Sequence, residues 1–174
     1  RQATEFKVPR MIFCNKMDKM GADFEYSLST IASRLGVKYA PIEWPIGAES
    51  DFNGIVDLVT RTAYHYNGEQ HEEPTVIDIP ADMVDLVEEK RNELIEAVAD
   101  FDDELMEKYL EGDEISVELI KRAIRKGTLA VEFFPVLCGT ALGNTGVKLA
   151  LDAVIDCLPA PTDIESVKGV DSND

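Results

Sequence analysis

Two short apolar runs, far apart in the chain, are each followed at once by small or polar residues. The first extends from Met11 to Cys14 and the second from Val136 to Cys138. Neither run alternates with polar residues, which is typical of strands buried on both faces of a parallel sheet. We expect the second strand to start at or after Pro135, since proline cannot donate a ladder hydrogen bond. Ligands of open α/β sheets bind at the carboxyl ends of such strands, so the residues after each run are candidates for a binding site.

The tetrapeptide Asn15-Lys16-Met17-Asp18 follows the first run. An ionised Asp18 carboxylate can accept two parallel hydrogen bonds, and guanine presents a ring N–H and an exocyclic amino group side by side. Adenine presents a ring nitrogen lone pair instead, and a site of this kind rejects the wrong ligand by roughly 10⁴-fold or more. Asn15 can tie the base edge to neighbouring backbone, and the aliphatic stem of Lys16 can lie along the base plane. The pattern predicts a guanine-binding loop.

A second interpretation of the same residues stays open. A bare pattern of this kind occurs in roughly a few per cent of chains of this length, so its position after a buried strand matters. In the competing interpretation, Asp18 or Asp23 caps the following helix and Lys16 is only solvated.

The second run leads into Gly139-Thr140-Ala141-Leu142. Gly139 permits a close backbone approach, Thr140 brings a hydroxyl group, and a free N–H at Ala141 could donate to a carbonyl such as guanine O6. This loop is weak evidence by itself. Together with the first loop it predicts that the two turns converge around a purine.

Between the two runs the pattern of the chain changes. Asp23 is expected to cap a helix that ends at Gly36, with an apolar stripe that includes Leu35. Alternating residues from Ala40 to Ile46 and from Ile55 to Val59, with a hairpin turn at Asn67-Gly68, predict an antiparallel sheet. Three helices should follow: one with an apolar stripe from Val84 to Val98, one from Asp102 to Leu110, and one from Ser116 to Arg125 before Gly127. A last helix should run from Val147 to Leu158, with its inner stripe formed by Val147, Leu151, Val154, Ile155 and Leu158.

Composition limits the classes of function. The chain has 34 acidic and 17 basic residues among 174, a net charge of −17, so unaided nucleic-acid binding is not expected. No run approaches the roughly 20 apolar residues of a membrane helix. The three cysteines lack metal-ligand spacing and are expected to be buried thiols in a reducing cytosol. We expect no metal site: His65 and His71 do not match a zinc signature. Asp102-Asp103 suits a helix start, and the basic cluster Lys121, Arg122, Arg125 and Lys126 should balance nearby acids.

Long stretches of the chain resemble the elongation factor G family of translational GTPases. They are VPRMIFCNKMDKMGAD from Val8, PIGAESDFNGIVDLV from Pro45, IPADM from Ile79, DELMEKYLEG from Asp103, PVLCGTALGNTG from Pro135 and LDAVIDCLPAP from Leu151. The resemblance implies that Asn15, Lys16 and Asp18 select the base and that Thr140, Ala141 and Leu142 form the second base-contacting loop. The family usually has Ser in place of Thr140, which keeps the hydroxyl.

The resemblance also implies a fold and a division of the chain. We expect an α/β fold with part of a doubly wound GTPase sheet, interrupted by an α+β insertion subdomain. Residues 1–37 and 132–160 would be the C-terminal half of the GTP-binding domain, residues 38–131 the insertion, and residues 161–174 a linker toward a further domain. No G-x-x-x-x-G-K-[ST] phosphate loop occurs in the sequence, so we expect the phosphate and Mg²⁺ sites to lie upstream and this fragment alone not to hydrolyse GTP.

The implied function is that of a cytoplasmic factor that couples GTP hydrolysis to ribosomal translocation of tRNA and mRNA, with GTP or GDP as ligand. The alternative is a nucleotide-independent module that docks on the ribosomal stalk protein through the acidic helix from Met83 to Ala99, or the equivalent part of a paralogous translational GTPase. An ordinary solvated face is an equally good interpretation of those glutamates.

Overall fold

Six α-helices and seven β-strands form the described part of the chain, which is residues 2–68 and 73–163 of a computed structural model. The strands are β1 (Ile12–Cys14), β2 (Tyr39–Pro41), β3 (Glu43–Ile46), β4 (Gly54–Asp57), β5 (Thr62–His65), β6 (Thr75–Ile77) and β7 (Phe134–Cys138). The helices are α1 (Gln2–Glu5), α2 (Phe24–Leu35), α3 (Val84–Ala99), α4 (Asp103–Glu111), α5 (Val117–Leu129) and α6 (Val147–Cys157). Two 3₁₀ turns lie at Glu49–Asp51 and Pro161–Asp163.

The two apolar runs form neighbouring parallel strands, as predicted. The parallel sheet has the order β1-β7-β2, and Cys14 lies opposite Cys138. The central strand β7 is buried along its whole length, as predicted, whereas β1, at the edge of the sheet, is only half-buried. The mixed α/β fold class predicted from the sequence is confirmed.

The central strand begins one residue earlier than expected, at Phe134, and includes Pro135. The N–H of Phe134 donates to Lys38 O, which lies before β2. Because backbone groups of a parallel strand face its two neighbours in turn, the nitrogen of Pro135 faces the β1 side. β1 starts only at Ile12, opposite Val136, so the missing N–H of Pro135 costs the ladder no hydrogen bond there.

The stretch from Ala40 to Ile46, predicted as one alternating strand, is two strands in two sheets. Tyr39–Pro41 pairs in parallel with β7, whereas Glu43–Ile46 pairs antiparallel with β4. A period of two residues gives the same alternation in both sheets, so the pattern could not locate the change of partner. The predicted division of the chain into residues 1–37 with 132–160, residues 38–131 and residues 161–174 stays a prediction. Of the last segment, residues 164–174 lie outside the described part of the chain.

The predicted antiparallel sheet and its three helices are present. The sheet has the order β3-β4-β5-β6, and α3, α4 and α5 pack against one another beside it. Ser116 caps α5 by accepting a hydrogen bond from Leu119 N at 3.3 Å. On α3 the predicted stripe is buried from Val87 to Val98, but Val84 is 44% exposed.

Helix α2 has the predicted ends, whereas α5 and α6 differ from the expectation. Asp23 caps α2 and Gly36 ends it in a left-handed conformation, although Leu35 is exposed. Helix α5 continues through Gly127 to Leu129. The predicted inner stripe of α6 is wrong, since most of it is exposed and the buried residues of the helix are Ala153 and Cys157.

One hydrophobic cluster connects the two sheets and the helices. It includes Met17, Trp44, Leu94, Ile120 and Leu137, which come from both sheets or from loops and helices next to them. The cysteines of the chain are free thiols. Cys138 and Cys157 are buried, as predicted, whereas Cys14 on the edge strand β1 is only half-buried. Among the helices of the described residues, none has the length and apolar character of a membrane span.

Candidate functional site

Two loops follow the carboxyl ends of β1 and β7 and lie side by side. The first loop is residues 15–18 and the second loop is residues 139–142, and we keep these names below. The strands before them are paired in parallel with Cys14 opposite Cys138, so both loops start at the same edge of the sheet. This is the position where open α/β sheets bind ligands.

Hydrogen bonds join the two loops directly. Asn15 Oδ1 accepts from the N–H of Ala141 at 2.9 Å and from the N–H of Lys16 at 2.8 Å. The N–H of Met17 donates to Gly139 O at 3.1 Å. The predicted convergence of the loops is therefore confirmed.

The Ala141 N–H, expected to be free for a base carbonyl, is already bonded to Asn15. The expectation missed this because a side chain 126 residues away in the chain supplies the acceptor. Asn15 was expected to bond to neighbouring backbone, and the structure confirms that part of its role. The backbone N–H of the second loop thus obtains its partner from the facing loop.

Asp18 is the carboxylate of the first loop. Its Oδ2 lies 2.8 Å from the Lys19 ammonium, and its side chain is 31% exposed. Hydrogen bonds from Lys19 and then from the Thr140 hydroxyl lower the pKa of the Asp18 carboxyl, so it is ionised at neutral pH. Its Oδ1 is enclosed and has no hydrogen-bond partner among the described residues. An ionised oxygen without a partner is an acceptor for a donor that a ligand would bring.

The remaining predicted residues take different positions around Asp18. Thr140 is buried and pairs with Thr145 across the mouth of the second loop. Leu142 is 81% exposed at the tip of that loop, where its side chain is available for contact with a ligand. Lys16 has a left-handed backbone with φ of 64° and an exposed side chain, which leaves its stem free to cover a flat ring.

The residues that hold the first loop through its buried side were not predicted from the sequence. Met17, the third residue of the tetrapeptide, is 2% exposed and belongs to the core. Its C=O accepts from the N–H of Glu49, and the Glu49 carboxylate accepts from the N–H of Gly21 at 2.7 Å. No local pattern predicts these contacts, since Glu49 comes from the turn between β3 and β4. Glu49 lies in the stretch from Pro45, for which the sequence indicated a resemblance but no contact with the first loop.

The basic cluster on α5 is held by acidic side chains, as predicted. Lys126 lies 2.6 Å and Arg122 2.8 Å from Asp102, which caps α4 and is almost fully buried. Hydrogen bonds from Arg122 hold the pKa of Asp102 far below its usual range. Arg122 and Lys126 thus join α5 to the start of α4, while Lys121 pairs with Asp156 of α6 and Arg125 with Asp163.

No group of three or more His, Cys, Asp or Glu that could hold a metal ion occurs in residues 2–68 and 73–163. The weak candidate around His65 and His71 lies partly outside the described residues, since His71 is not among them.

Comparisons with known proteins agree on the type of domain. Residues 1–160 match the family model described as the elongation factor Tu GTP binding domain. The chain is 56% identical over 173 residues to elongation factor G of Ureaplasma urealyticum serovar 10, which covers 99% of this chain and 25% of the relative. Elongation factor G of Ureaplasma parvum serovar 3 is 55% identical over the same length, with the same coverage.

A solved structure gives the same result at the level of the fold. A crystal structure of a Thermus thermophilus protein superposes with a TM-score of 0.79 at 31% sequence identity, and the match covers 92% of this chain and 24% of that one. The chain thus spans about a quarter of the length of the relatives it matches.

Proposed function

Because this chain belongs to the family of the elongation factor Tu GTP-binding domain, we propose that its two convergent loops bind the guanine base of GTP or GDP. The observation that carries the proposal is the unpartnered Oδ1 of Asp18, at the edge of the sheet where the first and second loops are bonded together. A carboxylate in this position matches the paired donors of guanine and no pair on adenine.

Each predicted residue has a role in this proposal. Asp18 accepts the two guanine donors, which requires the Lys19 ammonium to leave Oδ2 when the base binds. Asn15 fixes the second loop through Ala141, and Lys16 covers one face of the base. Thr140, whose hydroxyl lowers the pKa of Asp18, helps to keep that carboxylate ionised. Leu142, exposed at the tip, shields the base from solvent.

We extend the proposal to the protein in which this sequence occurs. The chain is similar over nearly its whole length to proteins named elongation factor G, but it spans a quarter of their length. We therefore propose that it supplies guanine selection in a cytoplasmic GTPase that moves tRNA and mRNA through the ribosome. The phosphate and Mg²⁺ sites and the hydrolytic step would lie in residues outside this chain, since no phosphate loop occurs in its sequence.

The test is Asp18→Asn in the complete natural protein that carries this sequence. An amide offers one acceptor and one donor, so it cannot accept both guanine donors, and we expect GDP affinity to fall at least about 10-fold. Xanthosine diphosphate, which has a carbonyl in place of the amino group, should bind the variant better than it binds the original protein. Asp23→Asn is the matched control, because Asp23 only caps α2 and asparagine caps equally well. An Asp18→Asn protein that still selects guanine fully would refute the proposal.

A second candidate function is docking on the ribosomal stalk protein through α3. Glu89 and Glu93 on this helix are 64% and 52% exposed, which favours a charged contact surface. Both lie near Lys90, at 3.7 and 3.0 Å, so part of their charge is already balanced. Reversal of Glu89 and Glu93 to Lys should weaken stalk binding, whereas reversal of Glu107 and Glu111 on α4 should not. Unchanged stalk binding after the first reversal would remove the case for α3.

A further inference from the structure

Glu49 makes two contacts with the first loop and the residues after it, although it belongs to the turn between β3 and β4. Its N–H donates to Met17 O at 3.1 Å, and its Oε1 accepts from the N–H of Gly21 at 2.7 Å. Backbone and side chain of one residue thus bind two points of the same segment. Asp18 lies between these two points in the chain.

The backbone of the Glu49 turn is in an unusual conformation. Glu49 has a φ of 53°, which residues other than glycine, asparagine and aspartate rarely adopt. The turn also requires Gly47, whose φ is 78° and whose added Cβ would lie 2.1 Å from Asp51 O. A strained residue persists when the surrounding structure holds it in place, and such residues cluster at functional sites. A glycine at position 49 would relieve the strain but could not supply the carboxylate.

The contacts continue from Glu49 to the second loop. Met17 is bonded on both sides, through its C=O to Glu49 and through its N–H to Gly139 O at 3.1 Å. The segment after Asp18 is held in turns by bonds from Lys19 N to Lys16 O and from Ala22 N to Lys19 O. Release of the Gly21 N–H would separate the Gly21 end of this segment from the Glu49 turn, so that its position would depend on the local turns and on the start of α2. The segment that carries Asp18 would then lose one of its two contacts with Glu49.

We propose that Glu49 is a positioning residue for the guanine site, which holds the segment from Met17 to Gly21 so that the Asp18 carboxylate faces the second loop. Glu49 itself does not touch the base, and this inference rests on the proposed guanine-binding function of the two loops. The positioning acts through the hydrogen bond to Gly21, since the contact of the Glu49 N–H with Met17 does not depend on the side chain.

The test compares four variants in the complete natural protein that carries this sequence. Glu49→Ala removes the acceptor, Glu49→Gln keeps an acceptor oxygen, and Glu49→Gly removes the acceptor while it relieves the backbone strain. Asp51→Ala is the matched control, because Asp51 is an exposed carboxylate of the same turn whose side chain makes no hydrogen bond or ion pair to a described residue. The measurements are the GDP dissociation rate, hydrogen exchange of the Gly21 amide, and the unfolding midpoint.

We expect Glu49→Ala and Glu49→Gly to release GDP roughly 3- to 10-fold faster, as the loss of one charge-assisted hydrogen bond predicts. The Gly21 amide should exchange faster in both. Glu49→Gln and Asp51→Ala should stay within about twofold of the original protein in both measurements. Because Glu49→Gly relieves strain, its unfolding midpoint should lie at or above that of Glu49→Ala. GDP release that is equally fast in the two variants despite this difference would therefore not be an effect of stability.

Two results would separate the failure of this inference from the failure of the proposed function. Unchanged GDP release in Glu49→Ala and Glu49→Gly, together with lost guanine selectivity in Asp18→Asn, would overturn the positioning role alone. Unaltered guanine selectivity in Asp18→Asn would overturn the guanine site, and the positioning role with it.

Discussion

At the scale of single residues, Asn15 Oδ1 binds the backbone of both loops. It accepts from Lys16 N in its own loop and from Ala141 N in the facing loop. The donor and acceptor groups of asparagine made such a role predictable. Its partner in the second loop, the N–H of Ala141, could not be predicted from them. The residue type determines which donors and acceptors a side chain carries. The partners of Asn15 in the second loop come within hydrogen-bond distance only because β1 pairs with β7.

Glu43 is a buried carboxyl close to the same site, and it makes a pH-dependent contribution to stability. Its Oε2 accepts from the N–H of Cys138, the last residue before the second loop, at 3.2 Å. Burial raises the pKa of Glu43 to about 8, and the nearby Asp57 adds to this, while the bond from Cys138 acts in the opposite direction. The protonated form is therefore preferred in the folded chain.

This preference predicts how stability changes with pH. Below the ordinary glutamate pKa of about 4.3, Glu43 is protonated whether the chain is folded or not, so it does not change the free energy of unfolding with pH. Between that value and about 8, the unfolded chain loses the proton and the folded chain keeps it, so stability falls as pH rises. The slope from this group is at most about 1.4 kcal/mol per pH unit.

Glu43→Gln should remove this contribution, because the amide is neutral at every pH and its oxygen can still accept from Cys138. We expect the variant to gain stability relative to the original chain as pH rises from about 5 to 8, as measured by urea unfolding at several pH values. Glu111→Gln, an exposed change, serves as the control. Parallel pH profiles of the original chain and Glu43→Gln would contradict the prediction.

At the scale of secondary-structure elements, the ends of α2 were predicted correctly, whereas the buried face of α6 was not. The caps of α2 at Asp23 and Gly36 depend on local hydrogen bonds and backbone conformation, which the residue types determine. The buried face of α6 depends on what packs against it, and periodicity cannot supply that information. The assignment of β2 and β3 to different sheets has the same cause, since alternation is identical in both.

Gly127 lies inside α5, where its role depends on packing and not on helix formation. We expected α5 to end before this residue, at Arg125, but the helix continues to Leu129. A Cβ at position 127 would lie 2.6 Å from the Phe101 ring and 2.9 Å from Phe133 Cβ. The glycine is therefore required by the close approach of two aromatic residues and does not end the helix.

Gly127→Ala should destabilise the chain although alanine is the better helix former. The propensity gain of up to about 1 kcal/mol is smaller than the roughly 1–3 kcal/mol that overpacking of a core typically costs. The measurement is the free energy of unfolding in urea. The double variant Gly127→Ala, Phe101→Leu should recover part of the loss, and a stabilised Gly127→Ala would show that the rings move aside freely.

The corrected face of α6 gives a further prediction. Leu151 and Ile155 are 61% and 76% exposed, whereas Ala153 is 8% exposed. Leu151→Gln and Ile155→Gln should each change the free energy of unfolding of this chain by no more than about 0.5 kcal/mol. Ala153→Gln, the same substitution on the buried side, should cost roughly 1–3 kcal/mol, because it forces a larger polar side chain into the core. Costs as large at Leu151 and Ile155 as at Ala153 would contradict this and support the stripe that the periodicity indicated.

At the scale of the whole molecule, net charge and the lack of a phosphate loop in the sequence determine what this chain can bind. Its net charge is −17, and described cations such as Lys121, Arg125 and Lys126 are paired with Asp156, Asp163 and Asp102. A surface of this kind repels nucleic-acid backbones, and the prediction that the chain does not bind them alone follows from both observations.

The proposed guanine site leads to a sharper prediction for the 174-residue chain by itself. Its two loops offer contacts to the base, and its sequence contains no phosphate loop, so the phosphates of a nucleotide add little binding energy. We expect calorimetry to give dissociation constants for GDP and guanosine that agree within roughly 3-fold, both much weaker than micromolar, with no binding of adenosine. Asp18→Asn should abolish the difference between guanosine and adenosine. Sub-micromolar binding of GDP by this chain, or a large preference for GDP over guanosine, would mean that it holds a phosphate site that its sequence does not reveal.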